Sequence, residues 1–172
     1  TAWKRNSRGE SNLGSWLCDR IRERAGTDVA LLNSGGIRKG LEPGPVTLLD
    51  IQEMLPFANL VVTVEVSGAD LQRIVAANAR AAVERTHGIL QVSGLRYRFR
   101  RDGGGVTVTD VAVGGRPLDP GRRYAIALPD YVATMADVYL DGLALPAWED
   151  TGETLEEAVR RGVVPVSPSG LF

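Results

Sequence analysis

The chain has 172 residues, 44% apolar and 24% charged, an ordinary globular balance with enough length for one domain and a substantial core. Lys and Arg total 20 against 21 Asp and Glu, and the resulting formal charge of −1 gives no field for nucleic acid or an acidic membrane. No apolar run approaches the roughly 18 residues that a membrane span needs, and Cys18, the single cysteine, excludes an internal disulfide.

The start at Thr1-Ala2-Trp3, with neither Met nor a signal peptide, reads as an expression boundary or a processed fragment. Ser11 or Asn12 caps a predicted helix to about Ala25, with Leu13, Trp16, Leu17 and Ile21 as its buried stripe and Gly26 as its stop. Asp28 to Asn33 is a short buried strand. A loop with four glycines and two prolines follows, from Ser34 to Pro45. Thr47 and Asp50 resemble a capping box that opens a helix to Leu55, and Pro56 stops it. Asn59 to Val66, rich in β-branched residues, is a strand. Ser67 and Asp70 repeat the cap pattern before a helix with Leu71, Ile74, Val75 and Ala82 on one face, for which Gly88 is the expected terminator.

The second half turns to strands, at Leu90 to Val92, Leu95 to Arg100, Val106 to Val113 and Tyr124 to Leu128. A phase change in the valines places a bulge near Asp110, and Gly114-Gly115 signals a hairpin. Glu153 to Arg161 is a predicted helix. The order is mixed rather than a strict β-α repeat, so the expected fold class is α/β of the mixed α+β kind, with mixed sheets and helices packed on them, in one domain over residues 1–172.

His87 is the sole histidine, too few for a catalytic zinc or di-metal centre, and reads as a helix-end residue. Cys18, on a helix with no histidine near it in sequence, reads as a buried, inert thiol. Leu95 to Arg101 interleaves arginines with aromatics. Period two accounts for it as a half-buried strand, with Leu95, Tyr97 and Phe99 inward and Arg96, Arg98 and Arg100 in water; a nucleic-acid stack is the lesser reading. Asn33-Ser34-Gly35-Gly36-Ile37-Arg38 follows a buried strand. Its glycines let backbone amides approach a ligand, Asn33 offers donor and acceptor, and Arg38 can fork onto phosphate, although a tight turn alone accounts for the pattern as well. No Gly-Lys-Ser/Thr ending makes it a P-loop.

Several segments in order carry a resemblance. Glu10-Ser11-Asn12-Leu13-Gly14-Ser15, Ala30 to Arg38, Met54-Leu55-Pro56-Phe57-Ala58-Asn59, Leu90 to Leu95 and Leu128-Pro129-Asp130-Tyr131 together resemble the C-terminal, substrate-binding domain of the 5′-nucleotidase and UDP-sugar hydrolase family of metallophosphoesterases. The resemblance implies a pocket for a nucleotide or nucleoside. It assigns substrate contacts to Asn33, Gly36 and Arg38, a phosphate contact to Arg8 or alternatively Arg5, and base-clamping rings to Phe57 and Tyr131. Asn59 holds the family's spacing. Asp137 matches the family's ribose-binding aspartate, but Thr134-Met135-Ala136-Asp137-Val138-Tyr139 lacks the usual flanking glycines.

The resemblance further implies that the catalytic residues and two divalent metals belong to an N-terminal metallophosphatase domain absent from this chain. This chain would carry no cofactor, would be inactive alone, and would hold the substrate while domain rotation brings it to the metals. The family's usual setting is periplasmic, cell-surface or secreted. The C-terminal domain of a 2′,3′-cyclic-nucleotide phosphodiesterase or of a thiosulfohydrolase is an alternative on the same fold. A stand-alone nucleotide-binding module without catalysis is an alternative of another class.

Overall fold

The computed structural model describes residues 2–162. Ser11 caps helix α1 (Asn12–Ala25) by accepting from the Gly14 amide at 3.0 Å, and Gly26 closes it in the left-handed region. Leu13, Leu17, Cys18 and Ile21, spaced three and four apart, form its fully buried stripe. Trp16 is only half-buried, on the flank of that stripe and edge-on to Trp3.

Strand β1 (Val29–Asn33) runs into a 3₁₀ turn (Ser34–Gly36). Thr47 and Asp50 cap helix α2 (Leu48–Met54) reciprocally, each side chain accepting from the other's backbone amide. Strand β2 (Leu60–Ser67) leads to helix α3 (Gly68–Glu84), capped by Ser67. The end of α3 differs from the expectation. Arg85, at φ 58°, takes the left-handed position and donates to the Ala81 carbonyl, so the helix stops before Gly88. Gly88 is needed for a close approach instead, since a Cβ there would stand 2.8 Å from Ser34 Oγ.

Strands β3 (Leu90–Ser93), β4 (Leu95–Asp102), β5 (Gly105–Val113), β6 (Arg116–Pro117) and β7 (Arg123–Pro129) follow. Asp110 takes φ 55° where the β4–β5 register breaks between Arg96 and Arg98, which is the anticipated bulge. Gly114 and Gly115, both with positive φ, turn β5 into β6. Leu95 is buried and Tyr97 packs against the core, but Phe99 is exposed: past the bulge, β4 runs beyond the layer that would cover it.

Short helices α4 (Asp130–Thr134) and α5 (Ala136–Tyr139) come next, then strand β8 (Glu149–Thr154) and helix α6 (Leu155–Gly162). The expected helix over 153–161 therefore starts two residues later, because Glu153 and Thr154 belong to β8. That strand is polar throughout and, among the described residues, pairs only with β2, as an edge strand can.

The architecture is the mixed α/β one that the sequence predicts, with a five-stranded sheet in the order β3-β1-β7-β2-β8 and a three-stranded sheet in the order β4-β5-β6. In the larger sheet β1 and β7 are parallel, and the other pairs are antiparallel. Alternation along the strands divides the core in two. Ala30, Leu32 and Ala127 join α1, α2 and α6 on one face, while Leu31, Val64 and Ile126 join α3 and the smaller sheet on the other.

Candidate functional site

The parallel pairing of Val29 with Ile126 and Ala30 with Ala127 places the carboxyl ends of β1 and β7 at one edge of the sheet. There β1 releases Asn33 and the glycine loop, and β7 releases Pro129 and α4. The antiparallel pairing of Val61 with Pro129 brings the segment before β2, Phe57 to Asn59, to the same edge. Loops gathered beyond the carboxyl ends of strands form the usual ligand crevice of α/β sheets. Here they enclose a cavity of about 560 Å³, lined by Asn33, Gly35, Gly36, Arg38, Phe57, Ala58, Asn59, Tyr131 and Tyr139.

Backbone bonds set the cavity walls. The Ser34 amide donates to Ile89 and the Arg38 amide to Met54, the last residue of α2, so the glycine loop is fixed at both ends. The second bond puts Arg38 beside Phe57, which follows α2 after Pro56. The Arg38 guanidinium carbon lies 5.8 Å from the Phe57 ring centroid, and Nη1 donates to the Gly35 carbonyl at 3.2 Å. Lys39 pairs with Asp50 and Glu53 of α2 and adds a second tie between loop and helix.

Asn33 is only 7% exposed, and its side chain folds over Gly36, where an added Cβ would come within 3.2 Å of Oδ1. Side chain and glycine thus share one small volume, and any larger residue at 36 would push Asn33 aside. Asn59 donates through Nδ2 to Asp130 Oδ1 at 3.0 Å, and the same oxygen accepts from the Tyr131 amide at 2.7 Å. Asn59 therefore anchors the first turn of the helix that carries Tyr131, besides lining the cavity.

Phe57 and Tyr131 are 48% and 42% exposed, unusual for large aromatic side chains that line a crevice and available to cover a flat apolar ligand. Tyr139 lies beside Tyr131 and belongs to the core. It is 9% exposed, its ring centroid lies 6.2 Å from that of Tyr131, and His87 packs edge-on behind it at 5.2 Å. Burial pushes the Tyr139 hydroxyl above its ordinary pKa, the neighbouring Tyr131 adds to this, and the Asn33 side chain opposes it.

Of the residues anticipated from sequence, Asn33, Gly36, Arg38, Phe57, Asn59 and Tyr131 share this cavity, and Arg8 and Asp137 do not line it. Arg8 is an exposed residue of the N-terminal segment, where Arg5 instead reaches the glycine loop and donates to the Ile37 carbonyl at 3.3 Å. Asp137 is exposed on α5 and lies against Gly142, as its Oδ1 would be 3.6 Å from a Cβ added there. In this chain a helical turn replaces the glycines around Asp137, and a helix commits its side chains to fixed directions. Tyr139 belongs to the cavity although no role was assigned to it from sequence. The available signal was its place in the segment that carries Asp137, two residues further on.

Cys18 is fully buried, and desolvation followed by the charge of Asp19 raises its thiol pKa far above the ordinary value, which suits an inert core residue. Among the described residues no group of three or more His, Cys, Asp or Glu could hold a metal ion, and no helix is long and apolar enough to cross a membrane.

Residues 1–143 match the family model described as the 5′-nucleotidase C-terminal domain. A 5′-nucleotidase of Vibrio parahaemolyticus is 31% identical over 159 residues, which are 92% of this chain and 28% of that protein. Protein UshA of Yersinia enterocolitica is 29% identical over 164 residues, again 92% of this chain and 28% of the relative. The crystal structure of a 5′-nucleotidase precursor from Thermus thermophilus superposes with a TM-score of 0.80 at 29% identity, covering 94% of this chain and 34% of that one. The chain thus spans under a third of the length of the curated relatives it matches.

Proposed function

The chain belongs to the 5′-nucleotidase C-terminal domain family, and from that premise we propose that it is the substrate-holding part of an enzyme that hydrolyses nucleoside phosphates to nucleoside and phosphate. The observation that carries the proposal is the cavity itself, which joins two half-exposed rings, Phe57 and Tyr131, to the guanidinium of Arg38 and the amide of Asn33. Aromatic faces accept any base, a guanidinium matches phosphate, and a carboxamide reads a base or sugar edge. A volume of about 560 Å³ lies within the usual range for small-molecule sites.

In this reading Phe57 and Tyr131 sandwich the base, Asn33 and Gly36 hold it from the floor, and Arg38 takes the phosphate. Asn59 keeps Tyr131 in place through Asp130. Arg8 and Asp137 would reach phosphate and ribose only after their segments move toward the cavity. Hydrolysis itself falls to a separate N-terminal metallophosphatase domain with two divalent metals, to which this single domain presents the phosphate. The setting is periplasmic, cell-surface or secreted. The aromatic pair favours a base-bearing substrate over a small sulfur oxyanion.

Calorimetric titration with nucleosides, their monophosphates and thiosulfate tests the proposal. Binding of at least one nucleoside monophosphate with one-to-one stoichiometry is expected, and heat from thiosulfate alone would overturn it.

A further inference from the structure

The position of Arg38 carries a consequence for selectivity that rests on the nucleotide-holding role just proposed. The guanidinium lies over the Phe57 ring on the cavity that both residues line. Among the described residues one of its five N–H donors is used, on the Gly35 carbonyl, and no carboxylate pairs with it. Its backbone is pinned by the bond from the Arg38 amide to Met54, so the side chain can swing while the Cα stays in place. Its present seat is a cation–π contact at an exposed site, one of the weaker interactions a guanidinium makes, whereas a phosphate would offer paired, charge-assisted acceptors.

We propose that Arg38 gates the face of Phe57 and thereby makes the site selective for phosphorylated nucleosides over free nucleosides. Without phosphate the cation covers the ring that a base would use, and a base must displace it to stack. A phosphate draws the guanidinium to itself and clears the ring. Base and phosphate then assist each other's binding through one side chain, and the coupling is reciprocal.

The experiment titrates adenosine into wild type and Arg38→Ala, each with and without saturating inorganic phosphate, and separately titrates phosphate alone into protein carrying labelled Phe57 ring and arginine Nε nuclei. Phosphate is expected to tighten adenosine binding to wild type by about two- to fivefold, the worth of an exposed cation–π contact. Arg38→Ala is expected to bind adenosine tighter than wild type by the same factor, to ignore phosphate, and to bind adenosine monophosphate more weakly. Adenosine binding that Arg38→Ala leaves unchanged or weakens, or a phosphate effect that survives in it, overturns the gate.

The nuclear resonance arm stands apart from nucleoside binding. Phosphate alone should shift the Arg38 Nε signal and move the Phe57 ring signals toward their positions in Arg38→Ala. If phosphate shifts neither, or shifts Arg38 without Phe57, the gate is wrong even where nucleotides bind. If no nucleoside or nucleotide binds while both signals move together, the gate holds and the nucleotide-holding role fails.

Discussion

Replacing Phe57 or Tyr131 with leucine separates a ligand clamp from a core residue. Both rings are close to half exposed, so nearly half of what the substitution removes already faces water in the free protein. Phe57 follows Pro56 outside α2, and Tyr131 sits in the first turn of α4, so neither change breaks a regular element. The expected cost in stability is under about 1 kcal/mol, a shift in melting temperature of roughly 2–4 °C for a chain of this size. Stacking of a base on an aromatic face is worth about 1–3 kcal/mol by alanine substitution, or roughly 5- to 150-fold in affinity. Leucine retains some apolar contact, so a loss of about tenfold is expected for each variant. The assay is titration with adenosine monophosphate beside a thermal melt of the same samples. Variants that bind as well as wild type, or that unfold many degrees earlier, would refute the clamp.

Three further outcomes follow from the same geometry. The chain alone should release no phosphate from nucleotides with any added divalent cation, since its described residues offer no cluster of metal ligands; turnover that tracks a residue of this chain through purification would contradict this. Cys18 should stay unreactive toward a thiol reagent at pH 8 in the native protein and react fully once unfolded, because burial holds its pKa up; rapid native labelling would show that α1 opens. Asp50 is held below its ordinary value of 3.8, to about 2, by Thr47 and then Lys39. A depressed folded-state pKa stabilises fully at neutral pH and loses its contribution as pH falls from about 4 toward 2. Asp50→Ala should therefore flatten the acid limb of the stability curve, and a curve superposable on that of wild type would show that Asp50 contributes nothing to it.

Much of the fold was legible because its signals are local. Ser11, Thr47 and Ser67 each cap the helix that follows them, and the valine phase change marked the bulge at Asp110. β8 was not legible, since Glu149 to Thr154 has no apolar alternation and becomes a strand only by pairing with β2. The end of α3 was misread because Gly88 resembles a terminator, whereas its small size serves contact with Ser34. For the site, residues next to a strand end or a proline could be found, as with Asn33, Phe57 and Tyr131. Their convergence depends on pairings between residues far apart in the chain, such as Val61 with Pro129. Asp137 keeps its spacing in sequence but does not line the cavity, because α5 turns that segment into a helix, from which Tyr139 lines the cavity.

In the proposed function Phe57, Tyr131 and Arg38 together hold one nucleotide. A crystal structure of the chain with adenosine monophosphate tests it most directly. The adenine is expected between the Phe57 and Tyr131 rings, with the phosphate on the Arg38 guanidinium withdrawn from Phe57. A nucleotide bound elsewhere, or in this cavity with its base away from both rings, would contradict it.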